Sequence, residues 1–373
     1  MKLKIKKEIL LDGLNKVSKA LSTKNLVPVL AGIKFDLSKE GLMLTASDND
    51  ITIQVFIDKT EDMQIEKEGS IIIQGKYILD IVRKLPDEFI NIEVIDELKI
   101  TIYTDNSEFN LNGINKSEYP AINLDLSKNP LILESRAFRS IISQTSFASS
   151  NDESRPILTG INFKIVGNTM ECNSTDSYRL ARRLLTLNTS VEENYNIVIP
   201  SKNLLEFIKI MDDGEESIEL HIFNNKVLIK YKNILFQSRL ISGTYPNTAN
   251  LLPDEFMMAI KVNVSELYNV IDRASILTSD KEKNIVTFEI TGNKLFVRSS
   301  SAEIGRVEEK MNIEKDNNED LKISFVAKYM MEALRSFDDD QVEISFVGEV
   351  KPIILKSNKD EGLTQLVLPI RTY

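Results

Sequence analysis

The sequence predicts an α+β fold of three similar domains, each with two helices and antiparallel sheets, and three observations carry that prediction. One motif returns at a fixed interval along the chain. Helical and strand-like periodicities alternate inside each copy. The strand-like runs place apolar and polar residues alternately and are joined by short turns, which favours antiparallel sheets over parallel ones buried on both faces.

The interval is the strongest signal, because a fixed period decides architecture before any local reading. Lys76, Lys202 and Lys328 are spaced by 126 residues, as are Arg83, Lys209 and Arg335. Between them the character is kept: Ile78, Leu204 and Met330 correspond, as do Val82, Ile208 and Leu334, and the acids Asp80, Glu206 and Glu332. Pro28 to Phe35 returns as Pro156 to Phe163 at an offset of 128, and an aspartate, Asp48 or Asp176, stands 20 residues after each proline. Tyr119-Pro120 and Tyr245-Pro246 mark the ends of the first two copies. Domains of 1–126, 127–253 and 254–373 follow.

Each copy opens on a helix with apolar residues at helical spacing: Leu10, Leu14, Val17 and Leu21; Phe138, Ile141, Ile142 and Thr145; Leu267, Val270, Ile271 and Ala274. Strands follow, read from Phe35 to Leu37 and Leu42 to Thr45 in the first copy, and from Ile218 to Ile222 and Val227 to Tyr231 in the second. In the third copy, Asn284 to Ile290 and Lys294 to Ser299 stand where the corresponding strands belong. Asn224-Asn225 and Thr291-Gly292-Asn293 read as hairpin turns. The second helix of each copy is the one bearing the repeated lysine.

The 373 residues give each copy enough chain for a core. The single cysteine, Cys172, excludes an internal disulfide framework and fits a reducing, cytoplasmic setting. No run reaches the roughly 20 apolar residues of a membrane span. The net charge of −10, from 46 basic and 56 acidic residues, excludes a uniformly positive surface but not a localised one. On a helical wheel Lys76 and Arg83 fall within about 20° of each other, on the side away from Ile78, Val82 and Leu85. A lysine in the first helical turn opposes the macrodipole at a cost of about 0.3 to 1 kcal/mol, and it recurs three times. An anionic partner common to the copies would offset that cost, although the intervening acids keep each site weak.

Three equivalent basic helices imply an arc following a phosphate backbone. Six helices about 9 Å apart would close around a hole of only about 7 Å, whereas twelve leave about 24 Å, enough for a duplex. A head-to-tail pair of chains therefore solves the geometry, and it also covers the edge strands at the arc's ends.

At this point the residues resemble a known family from end to end. Val27-Pro28-Val29-Leu30-Ala31-Gly32, Ser154-Arg155-Pro156-Ile157-Leu158-Thr159-Gly160, Thr175-Asp176-Ser177-Tyr178-Arg179-Leu180-Ala181, Gly243-Thr244-Tyr245-Pro246 and Leu368-Pro369-Ile370-Arg371 are similar to segments of the bacterial sliding clamps, the beta subunits of DNA polymerase III. The resemblance implies the DNA clamp fold, in which each chain is half of a dimeric ring around duplex DNA that tethers the replicative DNA polymerase. It implies partners as well: a clamp-loader ATPase, other replication and repair proteins, and a second copy of the chain. Carried over by position, Lys24, Lys76, Arg155 and Lys202 face DNA; the repeat adds Arg83, Lys209, Lys328 and Arg335. A client-peptide cleft comprises Leu158, Thr175, Tyr178, Arg179, Leu180, Pro246, Leu251, Val367, Leu368, Pro369, Ile370 and Arg371. Ile276 and Leu277 of one protomer meet Phe109 and Leu111 of its partner, the alternative being burial of these four within their own domains. The family commonly stops soon after the arginine, so Thr372-Tyr373 is a departure that bears on client preference.

Chemistry of other kinds finds little support. His221, the only histidine, sits in an alternating strand and has no partner histidine or cysteine cluster for a metal. Gly75-Lys76 lacks the upstream glycine of a phosphate-cradling loop. Asp48-Asn49-Asp50, Asp212-Asp213-Gly214 and Asp338-Asp339-Asp340 read as turns rather than magnesium sites, and Cys172 reads as a small buried residue. The expectation is a non-catalytic protein with no cofactor, set against two alternatives: a repeat-built protein-interaction scaffold that does not bind DNA, and a metal-dependent phosphoesterase.

Overall fold

A computed structural model describes residues 1–21, 27–277 and 284–371. Six α-helices are formed among them: α1 (Lys7–Val17), α2 (Gly75–Lys84), α3 (Ser135–Thr145), α4 (Ser201–Ile210), α5 (Val264–Ser275) and α6 (Ala327–Arg335). Two fall in each copy of the repeat. Two compact units make up the chain, Met1–Phe138 with Glu206–Leu240, and Arg139–Leu205 with Ile241–Tyr373.

The first unit holds a five-stranded sheet ordered Met63–Lys67, Lys2–Lys6, Phe89–Val94, Lys99–Tyr103 and Glu108–Asn112. It also holds an eight-stranded sheet in which four strands of the second copy (Leu131–Glu134, Ser217–Ile222, Lys226–Tyr231, Ile234–Arg239) continue into four of the first (Ile51–Asp58, Gly41–Ser47, Gly32–Leu37, Gly69–Gln74). The join is antiparallel, with Ile234 opposite Val55 and Ser238 opposite Ile51. Leu10, Leu14 and Val17 of α1 and Ile78 and Val82 of α2 are fully buried, each such side chain stabilising by about 1.5 to 3 kcal/mol relative to exposure. Phe207 bridges Phe138 and Phe236 at centroid distances of 5.9 and 5.0 Å.

The second unit repeats the plan. Tyr195–Pro200, Gly160–Val166, Thr169–Thr175 and Arg179–Thr186 continue into Leu363–Val367, Ile353–Lys356, Gln341–Phe346, Met258–Asn263 and the short Glu314–Lys315. Arg179 lies opposite Val367 and Arg183 opposite Leu363 at this join. A four-stranded sheet runs Gly305–Asn312, Lys294–Ser301, Ile285–Thr291, Leu321–Val326. Leu267 and Ile271 of α5 and Met330 and Leu334 of α6 share one core with Phe288, Phe325 and Phe346.

The repeated glycines have a packing reason. A Cβ on Gly32 would stand 2.4 Å from Ile72 Cγ2, and one on Gly160 would stand 2.6 Å from Val198 Cγ1. Each proline-led turn therefore lies directly on the strand before the basic helix. The small clusters it closes match across copies: Leu30, Ile72 and Tyr119 in the first unit, Leu158, Val198 and Tyr245 in the second. Among the described residues no helix is long and apolar enough to cross a membrane.

Candidate peptide cleft and nucleic-acid interface

The predicted cleft residues are organised by one hairpin turn. Asp176 Oδ1 accepts from the amides of Tyr178 (2.9 Å) and Arg179 (3.1 Å), while Ser177 adopts a left-handed φ of 81°. An aspartate is suited to this place because its side chain closes an Asx turn that frees the next residue to reverse the chain. Asp48 does the same in the first copy, accepting from Asp50 and Ile51 beside Asn49 at φ 77°. The repeated aspartate is thus a turn device, as its position between strands predicts.

The turn fixes two side chains in opposite ways. Tyr178 is 60 % exposed and stacks on Tyr329 of α6 at 6.4 Å. Arg179 is buried, with Nε donating to Asp176 Oδ2 (3.0 Å), Nη1 to Glu332 and Nη2 to the Phe147 carbonyl, and its guanidinium lies 4.5 Å from the Tyr329 ring centre. A planar cation with several fixed donors can satisfy two carboxylates, a carbonyl and an aromatic face together. Arg179 is therefore the anchor of this surface, not a free contact on it.

Behind the turn lies an apolar floor of Leu180, Ile354 and Leu366, against which Leu252 and Leu368 pack. Leu158, Thr175 and Val367 are likewise buried. The Tyr245 hydroxyl accepts from the Thr175 amide at 3.0 Å, and burial pushes its pKa well above the ordinary value. The last strand ends at Val367; beyond it Leu368 N donates to the Tyr178 carbonyl (2.9 Å) and Ile370 N to that of Ser324 (2.7 Å). Leu368, Pro369 and Ile370 are half-buried, and Pro246, Leu251 and Arg371 are exposed. The predicted set thus divides into a buried frame and an open apolar surface made by Tyr178, Pro246, Leu251 and Leu368 to Ile370.

Lys76, Lys202 and Lys328 are each the second residue of their helix, and Arg83, Lys209 and Arg335 each the ninth, all exposed. Lys209 is partly neutralised by Glu206 at 2.6 Å, while the Arg335 guanidinium lies over Tyr268 at 4.6 Å. Neither Gln74 nor Val326, preceding α2 and α6, provides a side-chain cap. Arg155 is exposed and its Nη1 donates to Ser177 Oγ at 3.2 Å, beside the cleft turn. Lys24 and Tyr373 lie outside the described residues.

Three consecutive family models match the chain: the DNA polymerase III beta subunit N-terminal domain at residues 1–124, its central domain at 132–247 and its C-terminal domain at 249–371. The chain belongs to the DNA polymerase III beta subunit family. It is 39 % identical over 377 residues to the beta sliding clamp of Staphylococcus aureus and 40 % over 378 to that of Staphylococcus epidermidis, with 100 % of each chain covered. The crystal structure of the Bacillus subtilis DNA polymerase sliding clamp matches with a TM-score of 0.96 at 38 % identity, and the Streptococcus pneumoniae beta chain with 0.95 at 34 %, again over all of both chains. The three-domain α+β clamp fold is thus that of the beta subunits.

The residues that the beta-subunit resemblance assigns to a dimer contact are not all buried in their own units. Ile276 is 70 % and Phe109 38 % exposed, and Leu111 and Leu277 are half-buried. Phe109 and Leu111 sit on Glu108–Asn112, the edge strand of the five-stranded sheet.

The residues weighed for catalysis have structural roles. His221 is buried, its Nδ1 accepting from the Ser127 amide at 3.0 Å and its Nε2 lying 3.3 Å from Glu219. It ties the segment after the first copy to Ser217–Ile222. Cys172 is buried, and desolvation raises its thiol pKa far above the reactive range. Asp212 pairs with Lys232 at 2.6 Å. Among the described residues no group of three or more histidine, cysteine or acidic side chains could hold a metal. Arg179 was legible only by resemblance: its partner Glu332 is 153 residues away, and no local pattern marks the pair.

Proposed function

We propose that this protein is a non-catalytic sliding clamp, two copies of which close head to tail around duplex DNA and hold the replicative DNA polymerase on its template. The observation that carries the reading is the succession of three family models along the whole chain, in step with three helices that present an exposed lysine at the same second position. Lys24, Lys76, Arg83, Arg155, Lys202, Lys209, Lys328 and Arg335 supply the contacts to the phosphate backbone. Each is weak, so the ring remains mobile and holds by topology rather than affinity. Client peptides of polymerase, clamp loader and repair proteins seat their apolar side chains on Tyr178, Pro246, Leu251 and Leu368 to Ile370. The buried frame around Arg179 keeps that surface preformed, so little ordering cost falls on binding. Domain limits of 1–126, 127–253 and 254–373 and a cytoplasmic location belong to the same reading.

The test loads the protein onto nicked circular DNA with a clamp-loading ATPase and follows retention by gel filtration before and after linearisation. Encirclement predicts persistence on circles and release within minutes from linear ends; equal retention on both would overturn it. Lys76→Glu, Lys202→Glu and Lys328→Glu together should cut the amount loaded onto circles about tenfold, while the rings that are loaded persist. A protein scaffold indifferent to DNA would show no change.

A further inference from the structure

The join that builds the cleft occurs twice, and its first occurrence has been chemically rewritten. In the second unit Arg179 lies opposite Val367 and Leu368 N donates to the Tyr178 carbonyl at 2.9 Å. In the first unit Ile51 lies opposite Ser238 and Arg239 N donates to the Asp50 carbonyl, also at 2.9 Å. Asp50 and Ile51 precede Tyr178 and Arg179 by the repeat offset of 128, so the backbones correspond residue for residue. Thr52 stands in place of Leu180, Gln237 of Leu366 and Arg239 of Leu368. The apolar floor has become polar.

A pocket of about 240 Å³ occupies this place, lined among others by Ser47, Thr52, Asn123, Lys226, Gln237 and Arg239. Its lining contains two cations and no carboxylate, in a chain whose net charge is −10. Lys226 Nζ is held by neutral groups only, the Asn123 carbonyl at 2.5 Å and Gln237 Oε1 at 3.1 Å, and lies 5.4 Å from the Phe223 ring centre. Arg239 is exposed at the end of its strand. Neither cation has an acidic side chain within ion-pair distance among the described residues. Asp48, in the adjoining turn, has Oδ1 occupied by the amides of Asp50 and Ile51.

We infer that this pocket is a second peptide site, which takes a glutamate- or aspartate-bearing segment of a partner protein rather than an apolar motif. A carboxylate entering it meets two cations with no acidic side chain at ion-pair distance among the described residues, and the second amide hydrogen of Asn123, whose first goes to Asp125 (2.9 Å). The Ser47 and Thr52 hydroxyls are spent on each other and on the Ile51 carbonyl, so the two cations carry the recognition. The pocket's size admits one or two side chains, which suits a peptide better than a polynucleotide backbone. The proposed function contributes only the location of the corresponding cleft.

The experiment measures fluorescence anisotropy of a labelled pentapeptide carrying three glutamates, and of its glutamine counterpart, on the full-length protein. The glutamate peptide should bind at least tenfold more tightly, and Lys226→Gln with Arg239→Gln should remove that difference. Leu368→Ala, on the other surface, should leave it intact. Equal binding of the two peptides by the wild type, a glutamate preference undiminished in the double variant, or loss of that preference in Leu368→Ala would overturn the inference. So would displacement of the peptide by oligo-dT at lower concentration than by unlabelled peptide, which would mark a nucleic-acid site. If the double variant does not melt cooperatively, Arg239→Gln alone, altering an exposed side chain, gives the same readout. Retention of the wild type on circular DNA is scored separately, so failure of the clamp reading and failure of the pocket are distinguishable.

Discussion

Arg179 shows how one side chain can organise a proposed binding surface while remaining hidden beneath it. Its guanidinium joins the turn at Asp176, helix α6 through Glu332 and Tyr329, and the carbonyl of Phe147. Replacing it by methionine keeps bulk but leaves Glu332 and Asp176 uncompensated, a loss of about 3 kcal/mol for a buried pair broken on one side. Urea unfolding should show a lower midpoint in Arg179→Met, with a much smaller effect in Lys76→Met on an exposed helical face; equal effects would refute the anchoring role. Asp212 makes a contrasting case. Lys232, then Tyr231, hold its carboxyl near a pKa of about 2, below the ordinary 3.8, so it contributes stability above about pH 4 that is lost as pH falls towards 2. Because the side chain is 56 % exposed, solvent screening limits this to well under 1 kcal/mol. The stability gap between wild type and Asp212→Asn should accordingly be small at neutral pH and narrow over that acid window.

At the scale of elements, Gly32 and Gly160 set how closely a proline-led turn can lie on its neighbouring strand. Their φ angles of −99° and −116° are open to any residue, so the constraint is space. Gly32→Ala or Gly160→Ala should destabilise by about 1 to 3 kcal/mol through overpacking, seen as a lower thermal midpoint. Neutral substitution would show that Ile72 and Val198 can yield. The repeated helices and the hairpins were legible in the sequence, because each rests on residues within a few positions of one another; the recurrence of the Pro28 and Pro156 segments was legible too, but not the turns they form. The 126-residue spacing located Lys76, Lys202 and Lys328 at equivalent helical positions, which the structure places second in α2, α4 and α6. What remained hidden depended on long-range pairing. No local pattern showed that Ile234–Arg239 would pair with Ile51–Asp58, or Leu363–Val367 with Arg179–Thr186, so that each large sheet is shared by consecutive copies. For the same reason, which predicted cleft residues would be frame and which surface could not be separated beforehand: Val367 and Leu368 are adjacent and both apolar, yet only the first is fully buried.

For the whole molecule, the exposed edge strands give the proposed dimer a physical basis. Glu108–Asn112 ends one sheet with Phe109 exposed, and Gly305–Asn312 ends another with a charged face that includes Arg306, Glu308 and Lys310. Unpaired edges are open to further strand addition, and pairing one edge with the other in a second copy satisfies both without leaving a growing end once the ring closes. Phe109→Asp with Ile276→Asp places acids where the contact would be desolvated, while touching neither the cleft nor the basic helices. Sedimentation at micromolar concentration should then report one chain of 42.4 kDa instead of two. That monomer should still bind an apolar client peptide, since every cleft residue belongs to the second unit, and yet be lost from circular DNA, since an open arc has no topological hold. A monomer retained on circles would show that charge attraction rather than enclosure holds the protein to DNA, and a variant that stays dimeric would place the contact elsewhere.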